Sequence, residues 1–110
     1  MTIERLALGL LALLLACAPV GYRGGLPKAE VEALPAEVAP SYTLFASRCS
    51  RCHNLSRPLS ADVRSDEHWD AYVARMRRNP GSGISKADGE RILVFLHHWA
   101  KQRREAEAER

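Results

Sequence analysis

The chain has 110 residues, with 16 lysines and arginines against 13 aspartates and glutamates and a formal net charge of +3. So even a balance argues neither for a nucleic-acid partner nor for a strongly cationic docking surface. The length admits one small domain plus tails, near the size at which an apolar core alone is marginal.

Residues 1–16 carry Arg5 and then the apolar run from Leu6 to Ala16. That run is too short to span a bilayer as a stable helix and has the form of an export signal. Leu14-Leu15-Ala16-Cys17 resembles the lipobox of bacterial lipoproteins, which implies cleavage before Cys17 and lipidation of that cysteine as the new N-terminus. The alternative is an ordinary secretory signal cut near Ala16 or Ala18. Both place the mature protein on the periplasmic side of a bacterial envelope, and the first anchors it to a membrane as a lipoprotein. From Ala18 to Pro40 there are four prolines, three glycines and the scattered acids Glu30, Glu32 and Glu37, without hydrophobic periodicity. This composition predicts a flexible tether over residues 17–40.

After Pro40 the pattern turns helical. Ser41 is a candidate N-cap, and Tyr42, Phe45, Cys49 and Cys52 recur at helical spacing, so one face of a short helix carries both thiols. Cys49-Ser50-Arg51-Cys52-His53 is the attachment motif for c-type haem. Two thiols at that spacing match the two vinyl groups of a porphyrin, and the adjacent imidazole supplies one axial ligand of the iron. A thioredoxin-like dithiol would need a strand before it and a βαβ pattern around it, and a zinc ribbon would need a second Cys/His pair. Neither context is present. A haem, itself a large and mostly apolar plate, would also serve as core in so short a chain.

Residues 54–64 read as loop, with Arg57-Pro58 inside it. A second helix follows, capped by Ser65, with Asp66 and Glu67 in its first turn, Arg75, Arg77 and Arg78 in its last, and Asn79-Pro80-Gly81 as its stop. Its apolar face is Trp69, Tyr72, Val73 and Met76. A third helix starts at Ser85, with Asp88 three residues on, and places Ile92, Phe95, Leu96 and Trp99 on one stripe. Residues 105–110 read as a charged, frayed tail. No run is a confident strand. The fold class is therefore all-α, of about three helices, with a domain over residues 41–104.

The second axial ligand is less directly marked. Met76 is the only methionine once the signal is removed, and it stands at the end of an aromatic-flanked stripe. A lone methionine on such a face ordinarily fills core, but with a haem motif upstream it becomes the candidate thioether ligand, which raises the potential of the iron. His68, His97 and His98 are the rivals and would give a bis-histidine iron of lower potential. His97 and His98 lie off the apolar stripe and are expected outside.

Phe45-x3-Cys49-x2-Cys52-His53, then Trp69-x3-Val73-x2-Met76, then Ile84-Ser85, then Ile92-Leu93-Val94-Phe95-Leu96 resembles a short monohaem class I cytochrome c over residues 40–100. The resemblance implies a small fold wrapped around one covalent haem c, with the N- and C-terminal helices crossing through Tyr42 and Phe45 against Phe95 and Trp99. It implies electron transfer rather than catalysis, with redox proteins as partners and no small-molecule substrate. Two alternatives stay open: a haem subunit docked permanently to a periplasmic dehydrogenase, and a redox- or gas-sensing haem domain. The interval from His53 to Met76 is much shorter than in mitochondrial-type relatives, so intervening helices and loops of those proteins are expected to be absent.

Overall fold

Serines start the two longest helices. Ser65 Oγ accepts from the His68 amide at 3.0 Å, and Ser85 Oγ accepts from the Asp88 amide at 3.0 Å. Each bond satisfies one of the orphan amides of a helix start and stabilises it by about 1 kcal/mol. The computed structural model describes residues 22–110; the expected signal at residues 1–16 and the lipidation site Cys17 lie outside the described residues. Among the described residues there are five helices and no strand: α1 Lys28–Glu32, α2 Ala39–Cys49, α3 Ser56–Leu59, α4 Asp66–Arg78 and α5 Lys86–Ala108.

The core forms where α2 and α4 both pack against α5. Phe45, Phe95, Trp69, Ile92, Leu96 and Leu55 are fully buried there. Tyr42 meets Phe95 edge-on at 5.0 Å between ring centroids, and Phe45 lies 4.9 Å from Phe95. Such aromatic pairs add about 0.5–1.5 kcal/mol each beyond the area they bury. Trp69 and Val73 are the buried part of the α4 stripe, while Tyr72 and Met76, nearer its C-terminus, are half-buried. The α4 helix therefore uses its first half for core and offers its last turns to a cleft.

Three stretches differ from expectation, and the described helices number five where the sequence predicts about three. The tether does not extend over residues 26–38, which fold onto the domain: α1 forms, Leu26, Val31 and Leu34 pack against the core, and Val38 is 5 % exposed within it. Among the described residues, the prolines that suggest an extended linker stand at helix starts. Pro27 stands at the N-cap of α1, Pro35 accepts from the Val38 and Ala39 amides, and Pro40 lies in the first turn of α2. For the same reason α2 starts at Ala39, and Ser41 is a buried residue inside it rather than its cap. The loop over residues 54–64 contains the single-turn α3, which buries Pro58 and Leu59.

The C-terminal tail is the third difference. Helix α5 runs on to Ala108, held by Lys101–Glu105 at 3.7 Å within the helix and by Arg64–Glu107 at 3.2 Å across to the loop before α4. Arg103 Nη2 donates to the Leu59 carbonyl at 2.7 Å and Arg104 Nη1 to the Arg64 carbonyl at 2.6 Å, which ties the same turns to the body. No helix among the described residues is long and apolar enough to cross a membrane.

Candidate functional site

Helix α2 ends on Cys49, and the chain turns through Ser50, Arg51 and Cys52 before His53. Helix α4 ends on Arg78, two residues after Met76, and Asn79 to Ile84 then return the chain to α5. These two ends form one open cleft whose lining includes Cys49, Cys52, His53 and Met76 together with Pro80 and Ile84. All four residues expected to hold a haem and its iron within the domain are thus brought together, from two separate parts of the chain. Arg48 and Asn79 also line the cleft, and the motif alone marks neither.

The rival histidines are elsewhere. His68 is exposed near the start of α4, the end away from Met76. His97 Nε2 donates to Asp70 Oδ1 at 2.6 Å, joining α5 to α4. His98 is half-buried, with its Nε2 enclosed and unpaired. Neither His97 nor His98 is fully outside, and none of the three lines the cleft.

Geometry and charge distinguish two kinds of chemistry for the cysteines. Both are free thiols; Cys49 is half-buried and Cys52 exposed. Burial, with Cys52 beside it as a lesser cause, pushes the Cys49 thiol up to about 11. A redox dithiol works by the opposite arrangement, a thiol at a helix N-terminus whose positive end stabilises the thiolate. Here Cys49 is the last residue of α2, at the negative end of the helix. Cys49 is therefore unlike the nucleophile of such a couple.

The flank of Cys49 carries Tyr72. Burial raises the Tyr72 hydroxyl most, the neighbouring Cys49 adds to this, and Arg57 and Arg75 oppose it. The Arg75 guanidinium lies 5.3 Å from the centroid of the Tyr72 ring. On the other flank Arg48 Nε donates to Asp88 Oδ2 at 3.4 Å, which pins the last turn of α2 to the first turn of α5.

His53 donates from Nδ1 to the Asn54 carbonyl at 3.2 Å. A carbonyl only accepts, so this contact takes a proton on Nδ1, and in the neutral ring that leaves the lone pair on Nε2. At the other end of the cleft Asn79 Nδ2 approaches Met76 Sδ at 4.0 Å. Compared with family models, curated proteins and solved structures, the chain matches none. No group of three or more His, Cys, Asp or Glu among the described residues is placed to hold a metal ion, so a zinc site has no donor set there. A porphyrin brings its own four nitrogens and asks only two axial donors of the protein. Two free thiols, an imidazole with Nε2 available, and a thioether on the same partly apolar cleft fit that group.

Proposed function

We propose that this protein carries single electrons through one haem c attached at Cys49 and Cys52, with His53 and Met76 as the axial donors to its iron. It acts as a short class I cytochrome c on the periplasmic side of a bacterial envelope, tethered by lipid at Cys17, and is not an enzyme by itself. One observation supports this above the others: the two thiols, the imidazole and the only methionine of the mature chain line a single cleft.

Bound there, the group supplies an iron centre that cycles between two oxidation states one electron apart. The residues of the chain then have distinct tasks. Cys49 and Cys52 would hold it by two thioether links, each thiol adding S–H across one vinyl group, and until then burial keeps the Cys49 thiol protonated. His53, proton on Nδ1, offers Nε2, and Met76 offers a thioether that favours the reduced metal. With His53 and Met76 both given to the iron, the chain would offer it no position for a substrate. Pro80 and Ile84 keep part of the cleft apolar.

The test is covalent attachment. The full chain made with a cytochrome c maturation system is expected to retain its colour through acid-acetone extraction, and Cys49→Ala with Cys52→Ala to lose it. Haem that extracts freely from the wild type overturns the proposal. Mass spectrometry of the mature N-terminus tests the anchor: a lipid-modified Cys17 is expected, and an unmodified N-terminus elsewhere makes the protein a soluble carrier.

A further inference from the structure

We infer that the segment Arg23 to Leu26 is a strap that positions His53, by holding the Asn54–Leu55 peptide whose carbonyl accepts from the imidazole. The inference rests on the proposed ligation by His53, and assigns to residues ahead of the motif a share in setting that ligand.

The chain of contacts is continuous. The Leu55 amide donates to the Arg23 carbonyl at 2.9 Å, across a sequence separation that no local turn explains. A peptide unit is planar, so the N–H of Leu55 and the C=O of Asn54 move together. The C=O end of that unit accepts from His53 Nδ1 at 3.2 Å and from the Arg57 amide at 3.2 Å. Fixing Arg23 therefore fixes the acceptor that sets the tautomer and rotation of the imidazole.

The strap is itself held at both ends. The Gly25 amide donates to the Tyr22 carbonyl at 3.0 Å, closing a turn, and the Leu26 amide donates to the Tyr42 hydroxyl at 2.9 Å. Between these points Gly24 has φ +72, the left-handed region, and its backbone presses on Asn54 so closely that an added Cβ would stand 1.7 Å from Asn54 Oδ1 and 2.6 Å from the Ser56 nitrogen. Asn54 could yield only by giving up the bond its Oδ1 accepts from the Ser56 amide at 2.9 Å, and the Ser56 nitrogen, being backbone, cannot step aside. Only glycine fits there, for two independent reasons. A structural staple would need the bonds to Leu55 and Tyr42 alone; contact with Asn54 on the residue next to His53 couples the segment to the ligand.

The test is Gly24→Ala in the full chain, read by the ring nitrogen shifts of His53 in haem-free protein and by the exchange rate of the Leu55 amide. The wild type is expected to hold the Nδ1–H tautomer. The variant is expected to shift toward the Nε2–H form usual for free imidazole, with Leu55 exchange at least ~10-fold faster. Gly81→Ala is the control: its φ of +76 gives the same backbone strain, but nothing lies within 4 Å of the added Cβ. It is expected to leave both signals as in the wild type. Tyr42→Phe, which keeps the ring and removes only the hydroxyl over Leu26, is expected to shift the tautomer less but in the same direction. In haem-loaded protein, loss of the Nδ1 hydrogen bond weakens imidazole donation and raises the reduction potential of Gly24→Ala. An unchanged tautomer in both Gly24→Ala and Tyr42→Phe, or the same shift in Gly81→Ala, overturns the strap. Wild-type chain that never takes haem overturns electron transfer instead, and leaves the tautomer result to stand separately.

Discussion

Phe45→Ala is expected to remove a large share of the stability of the domain and to loosen the attachment motif with it. The side chain is wholly buried, 4.9 Å from the Phe95 ring and 6.1 Å from that of Tyr42, where α2 meets α5. Truncating such a ring costs about 3–5 kcal/mol in lost transfer energy and residual cavity. A domain of this size has about 5–10 kcal/mol in all. Phe45 also stands one turn before Cys49, so a loosened α2 displaces the first thiol and lowers the yield of attached haem. Urea unfolding of the mature protein, followed by far-UV circular dichroism, has an m value of about 1–2 kcal/mol per molar for a chain this short. The midpoint is then expected to fall by about 2–3 M. Phe45→Leu, which refills most of the space, is expected to cost about a third as much. Val94→Ala, on the exposed side of α5, is expected to stay within about 0.5 kcal/mol. A Phe45→Ala midpoint within about 0.5 M of the wild type would refute the placement of this ring at the centre of the core.

Met76→Ala is expected to abolish the weak near-infrared sulfur-to-iron band of the oxidised protein and to lower the potential, while His97→Ala and His98→Ala do neither; a wild type without the band excludes Met76 as ligand. Ser65→Ala and Ser85→Ala are each expected to cost about 1 kcal/mol in thermal or urea unfolding, additively, because the two caps are on different helices. In haem-free protein at pH 8, Cys49 is expected to alkylate about 100-fold more slowly than an exposed cysteine, as follows from a thiol pushed up to about 11. Because its folded value lies above the ordinary 9.0, the folded state keeps a proton that the unfolded chain has lost. The stability this contributes is full below pH 9 and is lost as pH rises toward 11. Urea midpoints at pH 8 and pH 10.5 check the sign, and the haem-loaded protein is expected to lack this component, since a thioether does not titrate.

The elements that short-range physics decides were legible. Ser65 and Ser85 mark helix starts because a hydroxyl before an apolar-periodic run has one favourable partner, an amide two or three residues on, and both make that bond. The α4 and α5 stripes are buried where period 3.6 places them, except that Tyr72 and Trp99 are half-buried at the edge of the core and Met76 turns to the cleft. What misleads is proline. Pro27, Pro35 and Pro40 are equally at home in an extended linker and at helix starts, and the difference lies in whether Leu26, Leu34 and Val38 find apolar surface to cover. That surface is provided by Tyr42 and by residues of α5 far along the chain, so no window of residues 17–40 contains it. The run of α5 to Ala108 is similar: Arg64 and the Leu59 carbonyl, both distant in sequence, hold what local composition reads as a fraying end.

The same division runs through the candidate site. Cys49, Cys52 and His53 are legible together because the chemistry they imply is set by spacing along one turn of chain. Met76 is reached from sequence only by elimination, and it is the packing of α4 on α5, with the return of Asn79 to Ile84, that brings its side chain to the cleft of the motif. Asn54 carries a local signal, an Asx turn onto the Ser56 amide, and nothing in that signal distinguishes a loop ornament from a residue that sets an imidazole. The Arg23 carbonyl carries none at all, since every residue has a carbonyl and only its place in space gives this one the Leu55 amide as partner. Backbone groups are thus where sequence reading is blind by construction. The single trace they leave is a residue whose side chain must be absent, and Gly24, pressed against Asn54 with its φ at +72, is that trace.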